Sequence, residues 1–331
     1  MTRHVDTTRR ALLGAAAALP FASARAQSGW QPDRNVEYIV PAGPGAALDM
    51  SARQLKDLME RRKILPTSMI VTNRPGGAGA VAINALLTQP GNAHYLTTYT
   101  HSMLNSRLLG DLPVSWRELT PLAVMFEEAI LAVVRTESPI KTGQDLIARL
   151  RADPGSVSIG IATAVGNHIH VAIAKPMKAA GIDVSKMTIV PFKSSAESMN
   201  AMLGGHIDMI SASAPNLTTQ LLAGRIRPLA VATGQRIGAP LADVPTWREL
   251  GVDAEYSSVQ GLLAPKGLSA EQVAWWTKSL QAVSESDEWK AFLQKQNWKP
   301  KFLPQAEMMT FLESEEQVAT GLLTDLGLLK R

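Results

Sequence analysis

Two glycine-rich loops, each joining a short apolar run to a helical pattern, constrain the fold of this chain most strongly. The run "VEYIV" (36–40) precedes "PAGPGAALD" (41–49), and "MIVTN" (69–73) precedes "RPGGAGA" (74–80). After each loop, apolar residues recur at helical spacing. Strands that alternate with helices in this way predict an α/β fold with a mostly parallel sheet, whose loops gather at the carboxyl ends of the strands.

The same alternation restarts near Ile130, which predicts a second lobe with its own sheet. The runs that we interpret as its strands are "ILAVVR", "SVSIGIA", "MTIVPF" and "IDMISAS", and helical patterns separate them. A chain of 331 residues is long enough for two such lobes. We expect residues 27–127 and 256–331 to form the first lobe, residues 128–255 to form the second, and a ligand cleft to lie between them.

The first 26 residues are typical of an export signal. Arg9 and Arg10 precede an alanine-rich apolar run that ends in small residues at Ala24 and Ala26, so we expect cleavage after Ala26. The arginine pair resembles the twin-arginine signal, which is read by a receptor and is not an anchor. The alternative, a buried first helix, would lack a polar face.

Charge and composition exclude several classes of function. Most of the formal net charge of +4 comes from the arginines of the export signal, so the remaining chain is close to neutral and has no basic stripe for nucleic acid. Beyond the signal, no apolar run approaches the ~18 residues of a membrane span. The chain has no cysteine, which excludes disulfides and thiolate chemistry. Without a long apolar patch or a coiled-coil pattern, we expect a monomer.

The first glycine loop places several backbone N–H groups just ahead of a helix N-terminus. Such groups, together with the helix dipole, can bind a carboxylate or a phosphate. The loop matches neither the dinucleotide pattern G-x-G-x-x-G nor the phosphate-loop ending G-K-[ST]. From the residues alone, anion binding and a plain strand-to-helix turn both remain open. We interpret Asp49 as a residue that caps or steadies this loop.

Two further segments offer donors of the same kind. In the second glycine loop, Gly76, Gly77 and Gly79 are free to adopt positive φ angles. Arg74, beside them, either pairs with an anionic ligand or braces the surface. At the junction "PFKSSAE", Lys193 and two serines follow a predicted strand. We expect both segments to face the cleft.

The sequence contains no recognisable catalytic or metal-binding pattern. His168 and His170 lie two residues apart at a predicted loop-to-helix junction, but a zinc site needs three or four ligands and no companion motif is present. No G-x-S-x-G elbow or other nucleophile pattern occurs. We therefore expect no metal, no cofactor and no catalytic residue, and the alternative is a periplasmic hydrolase or isomerase that uses His168 or His170 as its base.

Six segments, in this order along the chain, resemble the Bug family, the solute-binding components of tripartite tricarboxylate transporters. They are "WQPDRNVEYIVPAGPGAALDMSAR", "VTNRPGGAGAVAIN", "VPFKSSAESMNAMLGGHIDMISAS", "LLAGRIRPLAVATGQR", "LADVPTWRELGV" and "GLLAPKGLS". The resemblance covers nearly the whole chain after the export signal. It implies a two-lobed periplasmic binding protein, type II-like, which closes around a small carboxylate-bearing solute and hands it to a membrane permease.

The resemblance also implies how the solute is held, chiefly by backbone N–H groups, hydroxyls and water. The implied ligand-binding residues are Ala42, Gly45, Ala46, Leu48 and Asp49 in the first loop, Gly76, Gly77 and Ala78 in the second, Thr163, Val165, Gly166, Asn167 and His170 in a second-lobe loop, and Lys193, Ser194 and Ser195 in the next. Ser102, Phe192 and Ser211 complete the expected set.

Several positions depart from the family pattern and bear on the ligand. Leu48 stands where the first loop of the family usually has threonine or serine, Asn167 replaces threonine or serine, and Ser194 and Ser195 replace glycines. Leu48 and Phe192 favour a partly apolar acid, such as an aromatic one, over a small polar dicarboxylate. The expected ligand is thus a mono-, di- or aromatic carboxylate.

Two partners for the closed form remain open. The closed protein would dock either on the permease subunits of a transporter or on a membrane sensor kinase. Either role needs a hinge, which we expect in the links near Glu127 and Tyr256.

Overall fold

The computed structural model describes residues 29–162 and 164–329, except for the side chain of Ala78. The predicted export signal and Thr163 lie outside this range. The strands, in chain order, are β1 (Val36–Val40), β2 (Met69–Asn73), β3 (Tyr95–Thr100), β4 (Leu119–Glu128), β5 (Ile130–Arg135), β6 (Ser158–Ala162), β7 (Thr188–Phe192), β8 (Met209–Ser213), β9 (Ile226–Val231), β10 (Ser258–Pro265) and β11 (Trp298–Pro304).

Helices connect and cover these strands. They are α1 (Ala47–Arg61), α2 (Ala80–Leu87), α3 (His101–Leu109), α4 (Gly143–Ala152), α5 (His168–Ala179), α6 (Ser195–Leu203), α7 (Thr218–Leu222), α8 (Ala270–Ser284), α9 (Asp287–Lys295) and α10 (Gln305–Asp325). The start of α8 follows a capping box, because the side chain of Ser269 accepts from the backbone N–H of Gln272 and that of Gln272 accepts from Ser269.

The strands form two mixed sheets, one for each lobe. The first sheet has the order β11-β4-β10-β3-β1-β2 and the second the order β7-β6-β8-β5-β9. In the first sheet β1, β2, β3 and β4 run in one direction, while β10 and β11 run against them. In the second sheet only β5 opposes the others. This architecture confirms the predicted two-lobed α/β fold. The sheets are mixed rather than mostly parallel, because β10 and β11 enter the first sheet, and β5 the second, antiparallel to their neighbours.

The two sheets are joined closely at one point of the chain. A single residue, Ala129, separates the end of β4 in the first sheet from the start of β5 in the second. The chain returns to the first sheet between β9 and β10. The long helix α10 contributes Leu312 to the core of the first lobe and Leu322 to that of the second. The exact lobe boundaries that the sequence suggests remain a prediction.

Strand β3 was not predicted from the sequence. It reads "YLTTYT", although tyrosine and threonine are both common in strands. Thr97 and Thr98 are both buried with their hydroxyls satisfied: Thr97 donates to the carbonyl of Ile39, and Thr98 shares a hydrogen bond with Tyr38. Polar groups that pair in this way are tolerated in a core. Within the described residues, no helix is both long and apolar enough to cross a membrane.

Candidate functional site

A cleft of about 350 Å³ opens where the parallel strands β1 to β4 of the first sheet end. Its lining residues are Pro41, Ala47, Leu48, Gly76, Gly79, Thr100, Ser102, Met103, Glu128, His168, Ser258 and Gln260. All come from the first lobe or its crossover except His168, the first residue of α5. In α/β proteins, ligands bind preferentially at this carboxyl edge of the strands.

The floor of the cleft is polar. Ser258 lies opposite Glu128 in the register of β10 against β4, and Gln260 lies opposite Thr100 in the register of β10 against β3. Ser258 and Gln260 are two residues apart on one strand, so their side chains share a face of the sheet. Glu128, Ser258 and Gln260 are all buried. A ligand in the cleft would therefore meet a row of hydrogen-bonding side chains.

Asp49 holds the first glycine loop in place. Its carboxylate accepts from the backbone N–H of Gly45 at 2.8 Å, from Asn73 Nδ2 at 2.8 Å and from Arg53 Nε at 2.9 Å. Burial alone would raise the pKa of Asp49, but the hydrogen bonds from Arg53, Gly45 and Asn73 outweigh it and lower the pKa to about 2. Asn73 also donates to the carbonyl of Ala42. Asp49 thus steadies the loop, as the sequence suggested, and is not among the residues that line the cleft.

The helices that begin at this edge have no side-chain caps. The N-cap residues of α1, α2 and α3 are Ala46, Gly79 and Thr100, and none of them has a side-chain hydrogen bond to its helix. Gly76 and Gly79 have φ angles of 124° and 100°, which only glycine adopts readily. The starts of α1 and α3 therefore offer bare backbone N–H groups beside one cleft, where the helix dipoles favour an anion. Ahead of α2 the bare N–H groups are those at the start of the 3₁₀ turn Gly77–Gly79, because the N–H groups of Gly79 and Ala80 donate to the carbonyls of Gly76 and Gly77.

The corresponding loops of the second lobe use their own side chains as caps. Asn167 Oδ1 accepts from the backbone N–H of His170, and Ser194 Oγ accepts from that of Glu197. The backbone N–H of Lys193 donates to the carboxylate of Glu197 at 3.0 Å. These donors and acceptors are engaged within the lobe itself.

The structure brings only part of the expected ligand-binding set together. Of the described residues in that set, Leu48, Gly76 and Ser102 line the cleft. Ala42, Gly45, Ala46 and Gly77 belong to the glycine loops beside it, and Thr163 and the side chain of Ala78 lie outside what the structure describes. Val165 and Phe192 pack against the second-lobe core, Ser195 Oγ accepts from Asn216, and Ser211 Oγ donates to the carbonyl of Ile169.

Two hydrogen bonds link the lobes beside the cleft. Ser102 Oγ and His168 Nδ1 are 2.7 Å apart, and Asn105 Nδ2 donates to the carbonyl of Gly166 at 3.0 Å. Both join α3 of the first lobe to the start of α5 in the second. Gly166 and Asn167 of the expected set therefore lie at the contact between the lobes and at a helix cap.

The histidines do not form a catalytic arrangement. His168 Nε2 lies 3.9 Å from the carboxylate of Glu128, too far for a hydrogen bond. Burial, with a smaller effect of nearby His101, lowers the pKa of His168 to about 4, which makes it a weak base. His170 is buried, its Nδ1 accepts from the backbone N–H of Gly166, and burial lowers its pKa to about 4. Its role is structural.

Sequence reasoning missed most of the cleft floor. Thr100, Glu128, Ser258 and Gln260 were not expected there, and His168 was weighed only as a metal ligand, a base or a structural residue. One signal was available for Glu128: the apolar run that ends in "FEE" is followed after one residue by "ILAVVR". A carboxylate between two buried strands needs a partner or a function. Among the described residues, no group of His, Asp and Glu could hold a metal ion.

Comparison with known proteins shows the family of this chain. The family model "Tripartite tricarboxylate transporter family receptor" matches residues 51–328. The chain is 27% identical to "UPF0065 protein in gbd 5'region" of Cupriavidus necator, over 100% of this chain and 99% of that protein. It also shares the fold of a TctC solute-binding protein from Polaromonas, with a TM-score of 0.77, 24% identity and coverage of 89% of this chain and 99% of the other.

A further solved structure, of an R. palustris protein with adipate, is 27% identical, with a TM-score of 0.74 and coverage of 89% of this chain and 98% of that one. These matches confirm the resemblance seen in the sequence, and the family is one of receptors rather than enzymes. The chain belongs to the tripartite tricarboxylate transporter receptor family of solute-binding proteins.

Proposed function

We propose that this protein captures a small carboxylate-bearing solute in the cleft by closure of its lobes and delivers it to a tripartite tricarboxylate-type transporter in the periplasm. One observation carries the proposal: the starts of α1 and α3, and of the 3₁₀ turn Gly77–Gly79 that leads into α2, lie beside the same cleft without side-chain caps. Free N–H groups at a helix start are a site for an anion, and several of them around one cleft suit the two oxygens of a carboxylate.

The first lobe is built to keep these groups in position. Asp49 fixes the loop after β1 through three hydrogen bonds, so the N–H groups that follow it need little reorganisation when a ligand arrives. Closing the cleft removes competing water and strengthens hydrogen bonds to a charged group. Affinity for an anion is therefore expected without a lysine or arginine in direct contact.

Two features bear on the kind of acid. The R. palustris relative was solved with adipate, a dicarboxylate with an apolar chain. Leu48 and Met103 line the cleft here and would contact such a chain. Phe192 gives no support to an aromatic ligand, because it packs against the core of the second lobe.

The hinge and the contacts between the lobes suit a closing movement. Ala129 alone connects β4 to β5, and the bonds Ser102–His168 and Asn105–Gly166 exist only when α3 and α5 are close. A ligand that contacts both lobes would shift the population toward this closed form. The closed form is the one that we propose for docking on the permease.

Thermal unfolding of residues 27–331 with a panel of mono-, di- and tricarboxylates tests binding. An acid at 100 times its Kd adds about 2.7 kcal/mol to the free energy of unfolding, which raises the melting temperature measurably. The matched control is the methyl ester of each acid, which keeps the shape but loses the charge. Stabilisation by an acid and not by its ester supports the proposal, whereas equal stabilisation by both would contradict recognition of a carboxylate. Loss of uptake of the same acid on deletion of the gene would link binding to transport.

A further inference from the structure

The cleft carries a negative group where an anion is expected to bind. Among the described lining residues, Glu128 is the one carboxylic acid, and neither lysine nor arginine is present. Glu128 is only 9% exposed. A ligand with two carboxylates would place its second charge in a cleft that already holds this acid and has no cation to offset it, which is unfavourable at low dielectric.

The surroundings of Glu128 leave its charge without a cationic partner. The Glu128 carboxyl group accepts a hydrogen bond from the hydroxyl of Ser213. The nearest basic group described is His168, whose Nε2 is 3.9 Å away and whose low pKa keeps it neutral. The preceding residue on β4, Glu127, differs from Glu128 in this respect. Its carboxylate lies 3.5 Å from Nζ of Lys299 and 3.1 Å from Nζ of Lys301.

A second acceptor near Glu128 also lacks a partner. Gln260 is 5% exposed, and its Oε1 has no hydrogen-bond partner among the described residues. Gln260 lies on β10 two residues beyond Ser258, which is paired in register with Glu128. Both side chains line the cleft. A buried acceptor without a donor is costly, so the floor is complementary to a group that donates hydrogen bonds.

We propose that Glu128 and Gln260 form a second subsite that binds the ammonium group of an amino carboxylate, whose carboxylate lies at the helix starts of the first lobe. An ammonium supplies the positive charge that Glu128 lacks and a donor for Gln260 Oε1. This inference rests on the proposed function and narrows its substrate class. Glu128 then acts as the residue that selects an amino carboxylate over a dicarboxylate of similar length.

The protonation of Glu128 gives this subsite a distinct pH dependence. Burial raises its pKa to about 7, partly offset by the hydrogen bond from Ser213. The groups facing it are His168 from α5, His101 of α3 behind that histidine, and the buried phenol of Tyr256. An ammonium favours the ionised acid, so an amino carboxylate should bind more tightly above pH 7. A second carboxylate favours the protonated acid and should bind more tightly below it.

Calorimetric titration with matched probes tests the subsite. The probes are 4-aminobutyrate against succinate and 6-aminohexanoate against adipate, each at pH 6 and pH 8. The variants are Glu128→Gln, a near-isosteric neutral side chain, and the control Glu127→Gln, which removes the adjacent carboxylate that is paired with lysines instead.

The expected result is that one amino carboxylate binds about tenfold or more tightly than its dicarboxylate partner at pH 8, with a smaller preference at pH 6. Glu128→Gln should abolish this preference and Glu127→Gln should retain it. Binding of dicarboxylates with no preference for the amino probes, or a preference that survives Glu128→Gln, would overturn the subsite and leave the proposed function intact. Binding of neither probe class, nor of any acid of the panel, would overturn both.

Discussion

Three helices of the first lobe and two of the second each follow a strand, but of these five only the two in the second lobe have a side-chain cap at their start. In the first lobe, α1, α2 and α3 begin at Ala46, Gly79 and Thr100 without a side-chain cap. In the second, α5 and α6 begin at Asn167 and Ser194, whose side chains each accept from one backbone N–H group, that of His170 and that of Glu197. In the function that we propose, the strand–loop–helix units of the first lobe offer their donors to a ligand, whereas those of the second engage part of theirs internally.

This difference assigns separate tasks to the lobes. In the proposed function, the first lobe supplies the donors for an anion, and the second supplies His168 and the hydrogen bonds to α3 that would accompany closure. It also gives a physical reason for one departure from the family pattern. Ser194, which stands where the resemblance implies glycine, caps α6 with its hydroxyl. Asn167 caps α5, which the threonine or serine implied by the resemblance could also do, so capping does not explain that departure.

The largest expected effect concerns Glu128, at the crossover between the lobes. Its pKa is raised from 4.5 to about 7, so the folded state keeps a proton that the unfolded state releases. Stability is therefore lost as the pH rises from about 4.5 to 7, by up to about 3 kcal/mol. Glu128→Gln avoids this loss, and urea unfolding should show the variant more stable than the wild type at pH 8 and equal to it near pH 4.5. A constant difference across this range would show that Glu128 does not titrate in the folded protein as described.

Gly76→Val should abolish binding. Gly76 lines the cleft and has a φ of +124°, which a valine rarely adopts, and a Cβ added there would lie 3.3 Å from Val81. We expect the affinity for the best acid of the panel to fall at least 100-fold, about 2.7 kcal/mol. The control Gly224→Val has a φ of +67° and open space around it in the second lobe, so it bears a backbone strain of the same kind away from the cleft. If calorimetry finds equal binding by both variants, the first-lobe loops are not the anion site.

Asp49→Asn should lower the free energy of unfolding without changing a residue that lines the cleft. Because the pKa of Asp49 is lowered from 3.8 to about 2, its charge contributes about 2 kcal/mol at neutral pH, and this contribution is lost as the pH falls through about 2. Unfolding by urea at pH 7 and pH 3.5 should show a deficit that narrows at the lower pH. Asp57→Asn, on the exposed side of the same helix, should change stability by less than about 0.5 kcal/mol. Equal deficits for the two variants would remove the special role of Asp49.

The smallest expected effect is in the second lobe. Asn167→Ala removes the cap of α5 and should cost about 1 kcal/mol of stability, with affinity for the acid changed less than about twofold. Ser194→Ala, the matched cap of α6, should behave alike. Chemical unfolding and calorimetry on both variants check this. A tenfold loss of affinity in either variant would contradict the difference between the lobes, since the second lobe would then bind the ligand directly.

The sequence predicted the architecture better than it predicted the site. β1 and β2 were placed at their observed bounds, because an apolar run that stops at a glycine loop leaves little doubt about where the strand ends. The first-lobe loops were expected at the cleft for the same reason. Lys193 and the two serines were expected there from the strand-to-helix pattern, and the residues around Asn167 through the family resemblance. Whether Asn167 caps a helix or faces a ligand depends on a side-chain rotamer that no pattern encodes. Glu128 and Gln260 both line the cleft because β4 and β10, which are far apart in the chain, pair antiparallel.

The central claim, that bare N–H groups of the first lobe hold the carboxylate, is tested most directly by backbone amide NMR of the labelled protein during titration with the acid that stabilises it most. We predict large downfield shifts for the amides of Ala47 and Leu48 and of residues 76–78, as expected for donors to a charged oxygen. The amides of Gly45 and Gly79, which already donate to Asp49 and Gly76, should move less. The amides of His170 and Glu197, which donate to the side chains of Asn167 and Ser194, should also move little. The reverse pattern, with the large shifts in the second lobe, would contradict the account.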